Sequence, residues 1–91
     1  MVKLKYRAYC PFCMEEHLGE FKLIYRKDGK RFNLRKRNTN LHTCKKCGKN
    51  FLVEVDSLGN IISYPTKDAI KEGIFPWEKI IEGKKIKVMA E

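Results

Sequence analysis

Ninety-one residues with a formal net charge of +9 describe one small domain, whose apolar core is too modest to dispense easily with a metal, a disulfide or a partner. The opening segment Val2-Lys3-Leu4-Lys5-Tyr6-Arg7 alternates apolar with basic residues, so it argues against both a secretory leader and a membrane span; a soluble cytoplasmic protein, nuclear if eukaryotic, is expected. In a reducing compartment, four cysteines arranged as two Cys-x-x-Cys pairs point to metal binding or redox work rather than permanent disulfides.

Along the chain, Val2 to Tyr9 reads as a strand, with Val2, Leu4 and Tyr6 on one face and Lys3, Lys5 and Arg7 on the other. It runs into a first knuckle, Cys10-Pro11-Phe12-Cys13. Phe21 to Arg26 and Arg31 to Arg35 then read as a hairpin across Lys27-Asp28-Gly29-Lys30, whose Asp-Gly pair suits a tight turn. Polar Arg35 to Asn40 breaks the pattern before a short strand, Leu41-His42-Thr43, enters a second knuckle, Cys44-Lys45-Lys46-Cys47. A further hairpin pairs Phe51 to Val55 with Ile61 to Tyr64 across Asp56 to Asn60.

After Pro65 the pattern changes. Thr66 can cap a short helix, Lys67 to Glu72, ending at Gly73, and Pro76 can open another that runs through Trp77 to Glu82 and ends at Gly83. Helices this short need docking, expected through Ile70, Phe75, Trp77, Ile80 and Ile81. Lys84 to Met89 is expected to add a last strand near the N-terminus. The fold class expected is a small β-rich zinc ribbon, built of antiparallel hairpins around a four-cysteine zinc site, with a short α+β C-terminal appendage. Residues 1–64 form the ribbon and residues 65–91 a helical and strand extension packed on it, as one domain.

Zinc favours four soft or borderline donors in a tetrahedron, and each Cys-x-x-Cys turn presents two thiolates from one tight loop. Cys10, Cys13, Cys44 and Cys47 are therefore the expected ligands of one structural Zn2+. Pro11 stiffens the first turn, and Gly48 supplies the positive φ that lets backbone N–H groups face sulfur; Met14 stands where the first knuckle would prefer glycine. Lys45, Lys46 and Lys49 are placed to offset the negative charge of four thiolates around a divalent ion. With the coordination shell filled by cysteine, His17 and His42 are expected at the surface or behind the ligands. No nucleophilic triad, phosphate loop or carboxylate pair appears, so no enzyme activity and no small-molecule substrate are expected.

The charge is concentrated. Residues 20–50 carry eleven lysines and arginines against Glu20 and Asp28, whereas residues 1–19 and 51–91 are close to neutral. Lys22, Arg26, Lys27, Lys30, Arg31, Arg35, Lys36 and Arg37 crowd the first hairpin and its exit, a row suited to nucleic-acid phosphates. Tyr25 and Phe32 fit the apolar face and are assigned to the core. An alternative use of the chain is as a protein-interaction module, through Phe75, Trp77, Ile80 and Ile81.

Cys10-Pro11-Phe12-Cys13, then Cys44-Lys45-Lys46-Cys47-Gly48 and Phe51, resembles the small zinc-ribbon elongation factor that associates with archaeal and eukaryotic RNA polymerase. The likeness spans residues 10–55 at most. It implies zinc on the four cysteines, a basic part near nucleic acid, and a transcription-related role with DNA or RNA, RNA polymerase or the ribosome as partner. The interval between knuckles is longer here, and the family's Asp-x-Tyr segment is absent. Transcript-cleavage ribbon factors are also similar, but their Asp-Glu hairpin tip is replaced by Lys27-Asp28-Gly29-Lys30. Cys10-Pro11-Phe12-Cys13 alone resembles the glutaredoxin motif, leaving Cys44 and Cys47 unused, and the paired knuckles resemble rubredoxin, whose members are typically acidic.

Overall fold

Alternation of apolar and charged residues in β1 (Val2–Tyr9) buries Val2, Leu4, Tyr6 and Ala8 and turns Lys3, Lys5 and Arg7 outward. The computed structural model describes residues 2–25, 31–33, 38–67 and 80–90. Beside β1 lie β2 (Glu16–Tyr25), β3 (Phe32–Asn33), β4 (Thr39–Thr43), β5 (Asn50–Val55), β6 (Ile61–Pro65), β7 (Ile81–Glu82) and β8 (Lys84–Ala90). They form two antiparallel four-stranded sheets, in the orders β3-β2-β1-β8 and β4-β5-β6-β7.

Both sheets contribute to one core. Leu4, Tyr6, Ala8, Phe21 and Leu23 from the first meet Phe51, Val53, Val55 and Ile61 from the second. Each large side chain so removed from water contributes about 1.5–3 kcal/mol before chain entropy is counted. Ser63, the buried polar residue of this core, is satisfied by donating its hydroxyl to the Tyr9 carbonyl at 2.6 Å, which also ties β6 to β1.

The first knuckle is the turn between β1 and β2, and the second is the turn between β4 and β5. β2 begins at Glu16, five residues before the expected strand, and continues through Gly19. Glycine weakens a strand by leaving its backbone uncovered. Here the Tyr6 ring, directly opposite in the register, lies over Gly19 and fills the space a Cβ would occupy.

The hairpin expected from Phe21 to Arg35 pairs Ile24 with Asn33 and Tyr25 with Phe32; its turn and Arg35 lie outside the described residues. Phe32 is in the core as expected. Tyr25 is not: it is 42% exposed and stacks on the Phe32 ring at a centroid distance of 4.9 Å. The expected strands over 41–43, 51–55 and 61–64 are present as β4, β5 and β6.

The C-terminal segment departs from expectation. The first expected helix beyond Lys67, and the second as far as Lys79, lie outside the described residues. Ile81 and Glu82, assigned to the end of the second helix, instead form β7 and pair with Ser63 and Ile62. The edge of β6 offers unpaired backbone groups there, and satisfying them outweighs a weak local helical preference. Ile80, expected to dock, is 49% exposed. Gly83 then turns the chain from one sheet to the other, so that β8 pairs antiparallel with β1, as the position of Lys84 to Met89 suggested. A Cβ on Gly83 would lie 2.5 Å from the Arg7 carbonyl oxygen and 2.9 Å from Ile61 Cγ2, so the corner has room only for glycine.

Candidate metal centre

The two knuckles have the same construction. Cys10 N–H donates to Glu15 O at 2.9 Å and Met14 N–H to Cys10 O at 2.8 Å; Cys44 N–H donates to Lys49 O at 3.0 Å and Gly48 N–H to Cys44 O at 2.8 Å. The residue after the second cysteine is left-handed in both, with φ of 63° at Met14 and 73° at Gly48. The backbone N–H groups of Phe12 and Cys13 face the Cys10 sulfur, and those of Cys47 and Lys46 face the Cys44 sulfur. These are the fixed dipoles that a thiolate needs.

The hairpins bring the knuckles tip to tip. Cys10 Sγ lies 3.6 Å from Cys47 Sγ, Cys13 Sγ lies 3.5 Å from Cys44 Sγ, and all four sulfurs fall within 4.8 Å of one another. No disulfide joins them. A tetrahedron with metal–sulfur bonds of about 2.3 Å has edges of about 3.8 Å, so the donor set fits a four-coordinate metal ion closely. Cys10 and Cys44 are buried, and Cys13 and Cys47 are half-buried.

The thiols differ before any metal binds. Burial pushes the Cys10 thiol up to about 12, whereas backbone donation from Cys47, helped by the His17 side chain, draws Cys44 down to about 6. A bound cation would override both by stabilising all four thiolates. Of the three lysines expected to offset thiolate charge, Lys46 reaches Glu15 across the knuckles at 3.7 Å, and Lys49 lies over the Phe12 ring, 4.8 Å from its centroid.

No protein-family model, curated protein or solved structure matches the chain.

Behind the sulfurs lies a cluster that spacing alone does not announce. His17 sits beside Cys44, and its ring packs edge-on against Phe51 at 4.9 Å and His42 at 5.7 Å. His42 in turn shares a 2.6 Å hydrogen bond between its Nε2 and the Tyr6 hydroxyl. Asn40 donates through Nδ2 to that hydroxyl at 3.1 Å and to Glu20 O at 3.1 Å. Burial, with the neighbouring His17 as a lesser cause, keeps His42 below the usual imidazole range, so the ring is neutral and can accept from Tyr6. Both histidines thus wedge the two hairpins together behind the ligands.

A signal for this cluster exists in the numbering. Adding 34 to a residue of the first hairpin gives its counterpart in the second: Cys10 and Cys44, Cys13 and Cys47, Met14 and Gly48, His17 and Phe51, Tyr6 and Asn40. His17–Phe51 and Tyr6–Asn40 are contacts between such counterparts.

Of the expected basic contact residues, Lys22 projects exposed from β2 and Arg31 is exposed beside β3. Arg26, Lys27, Lys30, Arg35, Lys36 and Arg37 lie outside the described residues, as do Phe75 and Trp77.

Proposed function

We propose that the protein is a structural zinc ribbon that associates with nucleic acid in the transcription apparatus, directly on DNA or RNA or beside RNA polymerase. The observation that carries this reading is that residues 20–50, which take in most of the interval between the knuckles and the second knuckle itself, hold eleven basic residues against two acidic ones. Opposite charge recruits a polyanion, and a rigid metal-held scaffold limits the entropy lost when it binds. The resemblance of Cys10–Cys13, Cys44–Gly48 and Phe51 to a zinc-ribbon elongation factor supports the choice of partner.

The metal is assigned as zinc because four thiolates at these separations suit a closed tetrahedral site, and its role is to hold the scaffold. Elemental analysis of purified protein is expected to give one zinc per chain. An iron centre would replace this reading with an electron carrier.

Binding is tested by fluorescence anisotropy of a labelled oligonucleotide across a salt series. Affinity falls steeply with salt, and replacing Arg35, Lys36 and Arg37 with Ala reduces the log–log slope by about 2–3. Binding indifferent to both salt and these substitutions would sink the proposal.

A further inference from the structure

Pairing of the first strand with the last creates a charged surface that no linear window of the sequence contains. The outward residues of β1 are Lys3, Lys5 and Arg7. In register with them, Lys87 stands opposite Lys5, Lys84 opposite Arg7, and Lys22 opposite Lys3. Like charges directly opposed on neighbouring strands repel, so these pairings are a standing cost in the isolated protein.

Part of this charge is offset from β2. Glu16 pairs with Arg7 at 3.1 Å and Glu20 stands opposite Lys5, both on β2. Among the described residues no carboxylate pairs with Lys84 or Lys87, and Lys5, Lys84 and Lys87 are all exposed. Among the described residues the face presents six basic residues against two acidic ones, and both of those acids lie on β2, away from β8.

We propose that this outer face of β1 and β8 is the track on which a nucleic-acid phosphodiester backbone lies, with Lys5, Lys84 and Lys87 as its principal contacts. This rests on the nucleic-acid reading above and adds to the basic residues of the first hairpin a second contact surface built from the first and last strands. Successive outward residues of β1 are about 7 Å apart and adjacent strands about 4.8 Å apart, so the positive row is only two strands wide; on β8 a shift of register leaves the exposed Ile86 between Lys84 and Lys87. A planar anionic membrane pressed on this face would meet Glu16 and Glu20 as well, whereas a single backbone follows the row and avoids them. Leu18, 64% exposed and opposite Arg7, gives an unpaired base an apolar surface beside the track.

The test uses full-length metal-loaded protein and a labelled single-stranded oligothymidylate. Lys87→Glu is expected to raise the melting temperature of the isolated protein, because an attractive pairing with Lys5 replaces a repulsive one, while weakening oligonucleotide binding about tenfold or more. The double variant Lys84→Ala/Lys87→Ala weakens binding similarly without a gain in charge pairing. A Lys87→Glu protein that is more stable yet binds unchanged overturns the inference, leaving the lysines as guards against edge-to-edge sheet association. If binding then responds only to Arg35, Lys36 and Arg37, the nucleic-acid reading stands without this face. Wild-type protein that ignores the oligonucleotide defeats both. Binding to phosphatidylserine vesicles in place of the oligonucleotide, lost in Lys87→Glu, overturns the inference in favour of a lipid surface.

Discussion

Met14 and Gly48 occupy equivalent left-handed positions, and one of them has a side chain to accommodate there. A Cβ in this region crowds the following carbonyl at a cost of about 1–2 kcal/mol, part of which the greater freedom of unfolded glycine offsets. Met14→Gly is therefore expected to stabilise the metal-loaded protein by about 1 kcal/mol, and Gly48→Ala to destabilise it by about the same amount. No heavy atom lies within 4 Å of a Cβ built on Gly48, so its effect isolates backbone strain from packing. Chemical denaturation of the two variants beside the parent measures both. At Asp56, burial opposes ionisation, but the side-chain and backbone N–H groups of Asn60 and the N–H of Leu58, each at 2.9 Å, hold the carboxyl below its ordinary value. A depressed folded value contributes stability above the unfolded one, near 3.9, that is lost as pH falls through the folded value. Asp56→Asn should cost about 1 kcal/mol at neutral pH, and unfolding curves of the two proteins should converge as the medium is acidified.

At the scale of elements, periodicity was a good guide wherever one face is buried, as in β1, β5 and β6. It failed at the start of β2, because Gly19 reads as an interruption unless the Tyr6 ring covering it is known. It failed again at Ile81-Glu82, where two residues take their conformation from β6 rather than from their own neighbours. The cluster of four cysteines was legible because both halves are local turns with their cysteines three apart. The cluster of His17, His42, Tyr6 and Asn40 was legible only in part: an offset of 34 relates His17 to Phe51 and Tyr6 to Asn40, but nothing in the numbering marks His42, which joins them only when the two hairpins face each other. Gly83 shows how narrowly the C-terminal arrangement is set. Gly83→Val would force a side chain into the Arg7 carbonyl and Ile61, and is expected to cost about 3 kcal/mol or more. Hydrogen exchange should show β8 amides losing protection in that variant before those of β4 and β5.

For the whole molecule, a linear charge profile leaves out what the topology brings together. Residues 51–91 average to near neutrality, yet topology takes Lys84 and Lys87 out of that average and lays them beside the lysines of β1. The metal site acts at the same scale, because one ion would join two hairpins that otherwise share only part of a small core. Chelation is expected to unfold the chain or leave the hairpins loosely associated, and Cys44→Ser to do the same. Loss of the near-ultraviolet circular dichroism of Tyr6 and its neighbours on adding chelator, with recovery on restoring zinc, is the measurement; a spectrum indifferent to chelator would deny the metal any structural role.

The sheet order β3-β2-β1-β8 also fixes a sequence of events during synthesis. All four thiol ligands have left the ribosome once Cys47 and its flanking strand emerge, so the metal can join the first two hairpins early. β1, however, keeps one row of backbone N–H and C=O groups open until residues 84–90 arrive to cover it. A nascent protein that took up an ion at this stage would do so while a lysine-lined strand edge is still exposed, and the lysines that flank that edge would disfavour pairing with a second nascent chain until β8 closes it.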